Sequence, residues 1–296
     1  MRELGRTLCA SQQLGQTGML TTTIDGLWVL QVLAGIEVLA PELGLRPILP
    51  SFETAQMALR HPIAGELRAE GVIDETGTVD TVVVEWLTVL ARRDIALLIH
   101  VRNPDVGEQP ASALLARFAQ WWVVMERSEE LVRIGGAGTA SAEGAANAVV
   151  IAQIERLCGT NTPAPLRPIT LDADALQSGV TSQETLKRFL ANQRLDADQL
   201  RMLMLAADPT RSTQSSIVAL QSGVETGRPT RTHIEQSAVT IIDSPEGRMV
   251  AEHVPSAGKN WMVIAPGTAT NIAAAVNQMV RRLPANEEWY SYRKVV

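Results

Sequence analysis

Lysine is nearly absent from this chain of 296 residues: among 26 basic residues only Lys187, Lys259 and Lys294 are lysines. Arginine supplies the rest, a bias that speaks of a GC-rich coding sequence more than of chemistry. Acidic residues number 32, so the formal net charge is -6, which argues against the basic face a nucleic-acid binder needs. Cysteine is scarce as well. Cys9 and Cys158 exclude a disulfide framework, leave at most one bridge, and fit a reducing cytoplasm. No run reaches the ~18 apolar residues of a membrane span; Leu27–Ala34 is interrupted by Gln31, and no membrane insertion is expected. Residues 1–18 lack the apolar stretch of a secretory signal. They are rich in Gln, Gly, Ser and Thr and read as a flexible extension. Met19 is a candidate start, which N-terminal mass spectrometry of the native protein would refute by finding residues 1–18 intact. Aromatics make up 4% of the chain, and six of them are Trp. With 46% hydrophobic and 20% charged residues, the composition is that of an ordinary globular protein and excludes wholesale disorder.

Catalytic patterns are missing too. There is no Walker A motif; Gly258-Lys259 runs into Asn260. Gly135-Gly136-Ala137-Gly138 lies between a strand and a helix but lacks dinucleotide-loop spacing. No H-E-x-x-H, C-x-x-C or G-x-S-x-G occurs. His61, His100, His233 and His253 have no partner histidine at metal-clip spacing. His100, with Asp94 and Asp105 near in sequence, leaves one enzymatic alternative: a small hydrolase assembled around it in space. Glu129-Glu130 and Glu287-Glu288 fall at turns and read as solvated charge. No cofactor and no metal are expected.

The pattern along the chain is helical, then β, and then both again. Leu20–Ile24 is β-prone, and a helix over 26–34 is capped by Asp25 and ended by Gly35. Further helices are expected at 52–60, 62–70 and 79–91. Strands follow at 94–102, 119–127 and 131–134, with 103–112 as a loop. After a Pro-containing junction at 159–168, helices return at 171–178, 182–193 and 196–207. Strands return at 216–221, 238–242, 249–253 and 261–265, and a helix closes the chain at 270–283. Asp243-Ser244-Pro245-Glu246-Gly247 is a hairpin turn signal. Two similarities link the halves. Ala146, Val150, Ile154 and Leu157 match Ile272, Val276, Val280 and Leu283, one helix face in each case. Leu45-Arg46-Pro47-Ile48 recurs as Leu166-Arg167-Pro168-Ile169. The pattern suggests a pseudo-twofold α+β protein: helices, antiparallel strands and a closing helix, twice. Residues 19–159 form the N-terminal half and 160–296 the C-terminal half of one globular unit.

Two features stand out. Trp121-Trp122 in a strand places one ring on each face, so one joins a core and the other, if uncovered, anchors a partner; Val124 lies on the same strand. The second is Leu200-Arg201-Met202-Leu203-Met204-Leu205. Adaptable Met and Leu surround that helix, either to fill a bundle or to grip related partners. The candidate partner-binding residues are therefore Trp121, Trp122, Val124, Leu200, Met202, Leu203 and Met204.

Thr23-Ile24-Asp25-Gly26-Leu27-Trp28-Val29-Leu30-Gln31 with Ala40-Pro41-Glu42-Leu43-Gly44-Leu45-Arg46-Pro47 resembles the EspG family, secretion-associated chaperones of mycobacterial type VII (ESX) systems. The segments 241–248, 265–268 and Leu283-Pro284 with Trp289 fit the same family. Glu288-Trp289-Tyr290-Ser291-Tyr292-Arg293 and Glu85-Trp86-Leu87-Thr88-Val89-Leu90 look most like the member serving the second ESX system. The resemblance runs from about residue 19 to the end. It implies the EspG-like α+β fold, a central antiparallel β-sheet flanked by N- and C-terminal helical bundles with a pseudo-twofold repeat, and a cytoplasmic, non-enzymatic chaperone that holds the apolar tip of PE–PPE heterodimers with its sheet and C-terminal bundle and keeps them soluble for secretion. A weak homodimer of the free chain and a structural role in the secretion apparatus are the other options.

Overall fold

The computed structural model describes residues 18–104, 111–223, 232–256 and 258–294; of the expected N-terminal extension, all but Gly18 lies outside them. The N-terminal half opens with strand β1 (Met19–Thr23), then helices α1 (Ile24–Ala34), α2 (Ala55–Arg60), α3 (Pro62–Ala69) and α4 (Thr81–Arg92). It continues with strands β2 (Ile95–Arg102), β3 (Ala111–Phe118), β4 (Trp121–Ser128), β5 (Leu131–Thr139) and helix α5 (Glu143–Cys158). The C-terminal half repeats the plan with β6 (Ile169–Asp172) and helices α6 (Ala173–Gly179), α7 (Gln183–Ala191) and α8 (Ala197–Ala206). Strands β7 (Thr213–Ser222), β8 (Thr232–Ile234), β9 (Val239–Ser244), β10 (Gly247–Ser256) and β11 (Lys259–Pro266) lead to helix α9 (Ala269–Arg281).

All ladders are antiparallel. The strand order is β1-β5-β4-β3-β2-β7-β9-β10-β11-β6, with β8 paired to β7 off this path. Read from either edge, the two five-strand series correspond strand for strand, and they join in the middle where Leu98 of β2 faces Val218 of β7.

Alternation of side chains sorts the strands between layers. Ile95, Leu97 and Ile99 enter one core with Ile217, Ala219, Val250, Trp122 and the inward faces of α5 and α9. Ala96, Leu114 and Met125 point to the opposite face, under α1 and α4. On that same face of the C-terminal half, Met249, Ala251 and Ile264 lie under α7 and α8. The matched faces Ala146/Val150/Ile154 and Ile272/Val276/Val280/Leu283 meet in the shared core, with Leu157 half-buried beside it.

The chain termini of elements follow local chemistry, with corrections to the sequence reading. The cap of α1 is Thr23, whose side chain accepts from Gly26 N; Asp25 sits inside the first turn. Thr23→Ala is expected to lower stability by ~1 kcal/mol in urea titration, against a few tenths (roughly 0.3) for Asp25→Ala. Strand β3 lies where the sequence pattern predicts no strand. Its sequence, ASALLARF, contains no β-branched residue and a single aromatic, Phe118, so its strand signal is weak. Ala119, expected to start a strand, instead forms with Gln120 the turn between Phe118 and Trp121, at φ 58°. Strands β6 and β8 were also not expected, and β6 takes residues 171 and 172 from the expected helix start. Ser244 pairs with Gly247 as the hairpin signal required, Gly247 taking φ 116°. The Leu-Arg-Pro-Ile recurrence is coincidental. In one half it follows α1, and in the other it leads into β6, the counterpart of β1.

Two buried arginines tie distant segments together. Arg248 donates to both carboxylate oxygens of Asp243 and to the carbonyls of Cys158 and Gly159, closing the end of α5 against the β9–β10 hairpin. Gly267 must be glycine there, because a Cβ would stand 2.2 Å from Arg248 Cγ. Arg117, on β3, donates to the carbonyls of Ala119, Tyr290 and Tyr292. The segment after α9 is thereby strapped across the end of β2, where Asp94 also accepts from Lys294 N.

Candidate functional site: a cleft and a fork in the C-terminal half

The sheet divides at one end. Strand β9 pairs with β7 only from Thr213 to Ile217. Beyond that β7 carries β8 at Leu220–Ser222, while β10 continues past Glu252 paired with β11 alone. Between the two arms opens a fork of about 820 Å³, lined by Asp174, His233–Ala238, His253, Pro255, Asn260, Met262 and Arg282. Leu176, His253 and Met262 are shared with a second opening of about 200 Å³ between the sheet and the C-terminal helices. That cleft is mostly apolar; Leu186, Leu190, Leu203, Thr240, Ile242 and Ile264 are among its walls. Together they make one groove with an apolar inner end and a polar mouth.

Connection length distinguishes the two halves. In the N-terminal half residues 35–54 separate α1 from α2 and insert Leu39, Leu43, Leu45 and Ile48 into the core. In the C-terminal half residues 180–182 are all that joins α6 to α7, so that half has no matching insertion between its first two helices. At the corresponding start of α1 about 260 Å³ is open, bordered by Asp25, Trp28, Gln31, Arg46 and His61, and where the fork would fall in this half about 430 Å³ is open, bordered by Val101, Ser112, Glu126, Arg127, Arg133 and Arg156.

Electrostatics at the mouth are set by burial. His253 is pushed down by burial and then by the Arg282 charge. On the other side of β10 burial raises Glu252, an effect the same arginine opposes. Asp174 is held low by the side-chain amide and backbone N–H of Asn260.

The candidate residues divide. Met202 and Leu203 are buried in the third core, where Leu200 and Met204 pack half-buried; Leu203 reaches the cleft wall. Trp122 and Val124, each 1% exposed, are core residues, and Trp122 meets Trp289 edge-on at 6.4 Å. In this fold they have no surface to offer a partner. Trp121 is 51% exposed, but four strand spacings, roughly 19 Å, separate β4 from β9. Sequence reading missed the walls contributed by β9, β10 and β11. The available signal was apolar residues at consecutive positions, Ile241-Ile242 and Met249-Val250-Ala251, which need cover on both faces.

His100 Nδ1 lies 2.8 Å from Ser112 Oγ. Asp94 cannot complete that pair, since six residues of extended strand, roughly 20 Å, separate it from His100 and it is used by Ala119 N, Lys294 N and Arg293. Asp105 lies outside the described residues. Among the described residues no cluster of three metal-ligating side chains occurs and no helix is long and apolar enough to cross a membrane.

The EspG family model matches residues 23–278. The chain belongs to the EspG family. Within it, the ESX-2 secretion-associated protein EspG2 of Mycobacterium tuberculosis H37Rv is 52% identical over 278 residues, 94% of this chain and 100% of the relative. The ESX-1 secretion-associated protein EspG1 of Mycobacterium marinum is 24% identical over 276 residues, 89% of this chain and 88% of its own. The Mycobacterium tuberculosis type VII secretion system chaperone EspG5, solved in complex with a PE25-PPE41 dimer, superposes with a TM-score of 0.72 at 20% identity. That match covers 93% of this chain and 99% of the other, so the α+β architecture is the EspG fold.

Proposed function

We propose that this EspG protein is a cytoplasmic chaperone that seats the apolar tip of a PE–PPE heterodimer in the groove of its C-terminal half, keeping the client soluble for an ESX secretion system. The observation that carries the reading is the groove itself, an apolar cleft continuous with a polar fork. A helical tip that exposes apolar surface aggregates in water, and a preformed groove removes that surface from solvent. Leu203 at the cleft wall, with Leu200, Met202 and Met204 behind it, supplies the adaptable packing that related but non-identical clients need. At the mouth Asp174 accepts from Asn260 and Glu235 from Ser237, and the reading requires no covalent chemistry. Co-expression with the PE–PPE pair of the same locus, followed by size-exclusion chromatography, is expected to give a joint peak; separate elution with every cognate pair counts against the proposal.

The His100–Ser112 pair is the one observation favouring a hydrolase instead. Ester and phosphate substrates test it: turnover that disappears in His100→Ala would move the assignment to that site.

A further inference from the structure

We propose that Arg282 clasps the outer arm of the fork through Glu235, giving up the strand glutamate that its counterpart in the N-terminal half holds. The part this clasp plays in seating a client rests on the groove being the client's seat. The two halves supply the comparison. Val124 of β4 and Val250 of β10 enter the same core, and two residues on, each strand carries a glutamate, Glu126 and Glu252. Ile154 of α5 and Val280 of α9 are likewise matched, and two residues on, each helix end carries an arginine, Arg156 and Arg282. In the N-terminal half the pair is closed: Arg156 Nη1 stands 2.6 Å from Glu126 Oε1. In the C-terminal half Arg282 Nε lies 3.6 Å from Glu235 Oε1 instead, an ionic contact longer than a hydrogen bond. Glu252 Oε2 is buried without a hydrogen-bond partner among the described residues.

Glu235 belongs to the outer arm. It follows β8 directly, and its N–H extends the ladder by donating to the carbonyl of Ala219 at 2.9 Å. Its carboxylate is oriented by Ser237, whose N–H and hydroxyl both donate to Oε1. Two carboxyls therefore compete for one guanidinium, one from each arm of the fork. Glu235 has donors on Ser237, whereas burial raises the Glu252 carboxyl against the pull of Arg282. A buried acid escapes the cost of its charge by keeping a proton, which a guanidinium cannot do by losing one. The arginine accordingly goes to Glu235. Strand β8 has three residues, too few to hold firmly by its ladder alone, and this ion pair, with side chains 20% and 11% exposed, ties it to the end of α9.

Hydrogen exchange on the full chain tests the clasp. Glu235→Gln, similar in shape and without charge, is expected to speed exchange of the amides of residues 232–235 about 10-fold or more while the β10–β11 ladder keeps its rates. Equal acceleration of both would mean general destabilisation and overturn the assignment. Carboxyl titration by 13C NMR gives a second reading, with Glu252→Gln identifying the Glu252 resonance. Once residue 235 is neutral, Arg282 is free for Glu252, whose midpoint is expected to fall by about 1 pH unit or more; an unchanged midpoint overturns the exchange of partners. Glu252→Gln itself should leave exchange in the arm unaltered. Arg282→Met should loosen the arm as Glu235→Gln does, and it decides the matter should Glu235→Gln fail to fold. Affinity for the cognate PE–PPE heterodimer, by titration calorimetry, is expected to drop about 3- to 10-fold in Glu235→Gln. A loosened arm with affinity within about twofold of wild type keeps the clasp and overturns its part in seating the client. If the wild-type chain binds no cognate heterodimer, the seat falls, while exchange and titration still decide the clasp.

Discussion

Arg117→Ala is expected to lower the unfolding free energy by about 3–5 kcal/mol, the scale of breaking a buried ion pair from one side. Its guanidinium is 1% exposed and lies 4.0 Å from Asp94, itself 1% exposed. Burial pulls its pKa down to about 10, Asp94 opposing the fall. At neutral pH the group stays charged, so the fold carries the desolvation cost and offsets it with carbonyl acceptors at Ala119, Tyr290 and Tyr292. Alanine leaves those carbonyls short of a donor and removes the buried charge beside Asp94. The strap they anchor includes Trp289, which is buried against Trp122 and Tyr290. Urea denaturation should therefore show a lower midpoint, and Trp emission should shift red before global unfolding. A loss below about 0.5 kcal/mol, typical of a surface change, would mean the strap holds without its arginine.

Thr240→Trp is expected to cost at least roughly 100-fold in client affinity, the scale of removing a hot spot, with a melting temperature within a few degrees, about 2–3 °C, of wild type. Thr240 is half-buried at the cleft, so an indole there occupies the space proposed for the client. Trp121→Ala separates the two halves of the candidate set, because Trp121 is exposed on β4, away from the groove. Unchanged affinity in Trp121→Ala beside lost affinity in Thr240→Trp assigns the contact to the groove. The reverse pattern moves it to the N-terminal half.

Local chemistry made much of this fold legible. Gly35 ends α1 in the left-handed conformation, Pro245-Glu246 turns the β9–β10 hairpin, and the matched faces of α5 and α9 announced the repeat before any strand order was known. β3 was not legible because Ala-Ser-Ala-Leu-Leu-Ala-Arg-Phe has a strand's burial without its propensities; tertiary pairing with β2 and β4 decides it. The site was less legible still. Arg117 meets Tyr290 173 positions away in sequence, and the fork arises from where ladders stop, which periodicity does not encode. The Met/Leu segment of α8 was recognised as special, yet which side chains face inward depends on how the helix sits on β9 and β10. One clue was present and measurable: the long 35–54 connection has no equivalent beside 180–182.

That unequal connection has a consequence for stoichiometry. A chain built from two like halves would ordinarily offer two equivalent ports and bind with a valency of two. Here residues 35–54 pack into one half alone, which makes the two ports unequal, and a calorimetric titration with the client should saturate at one heterodimer per chain.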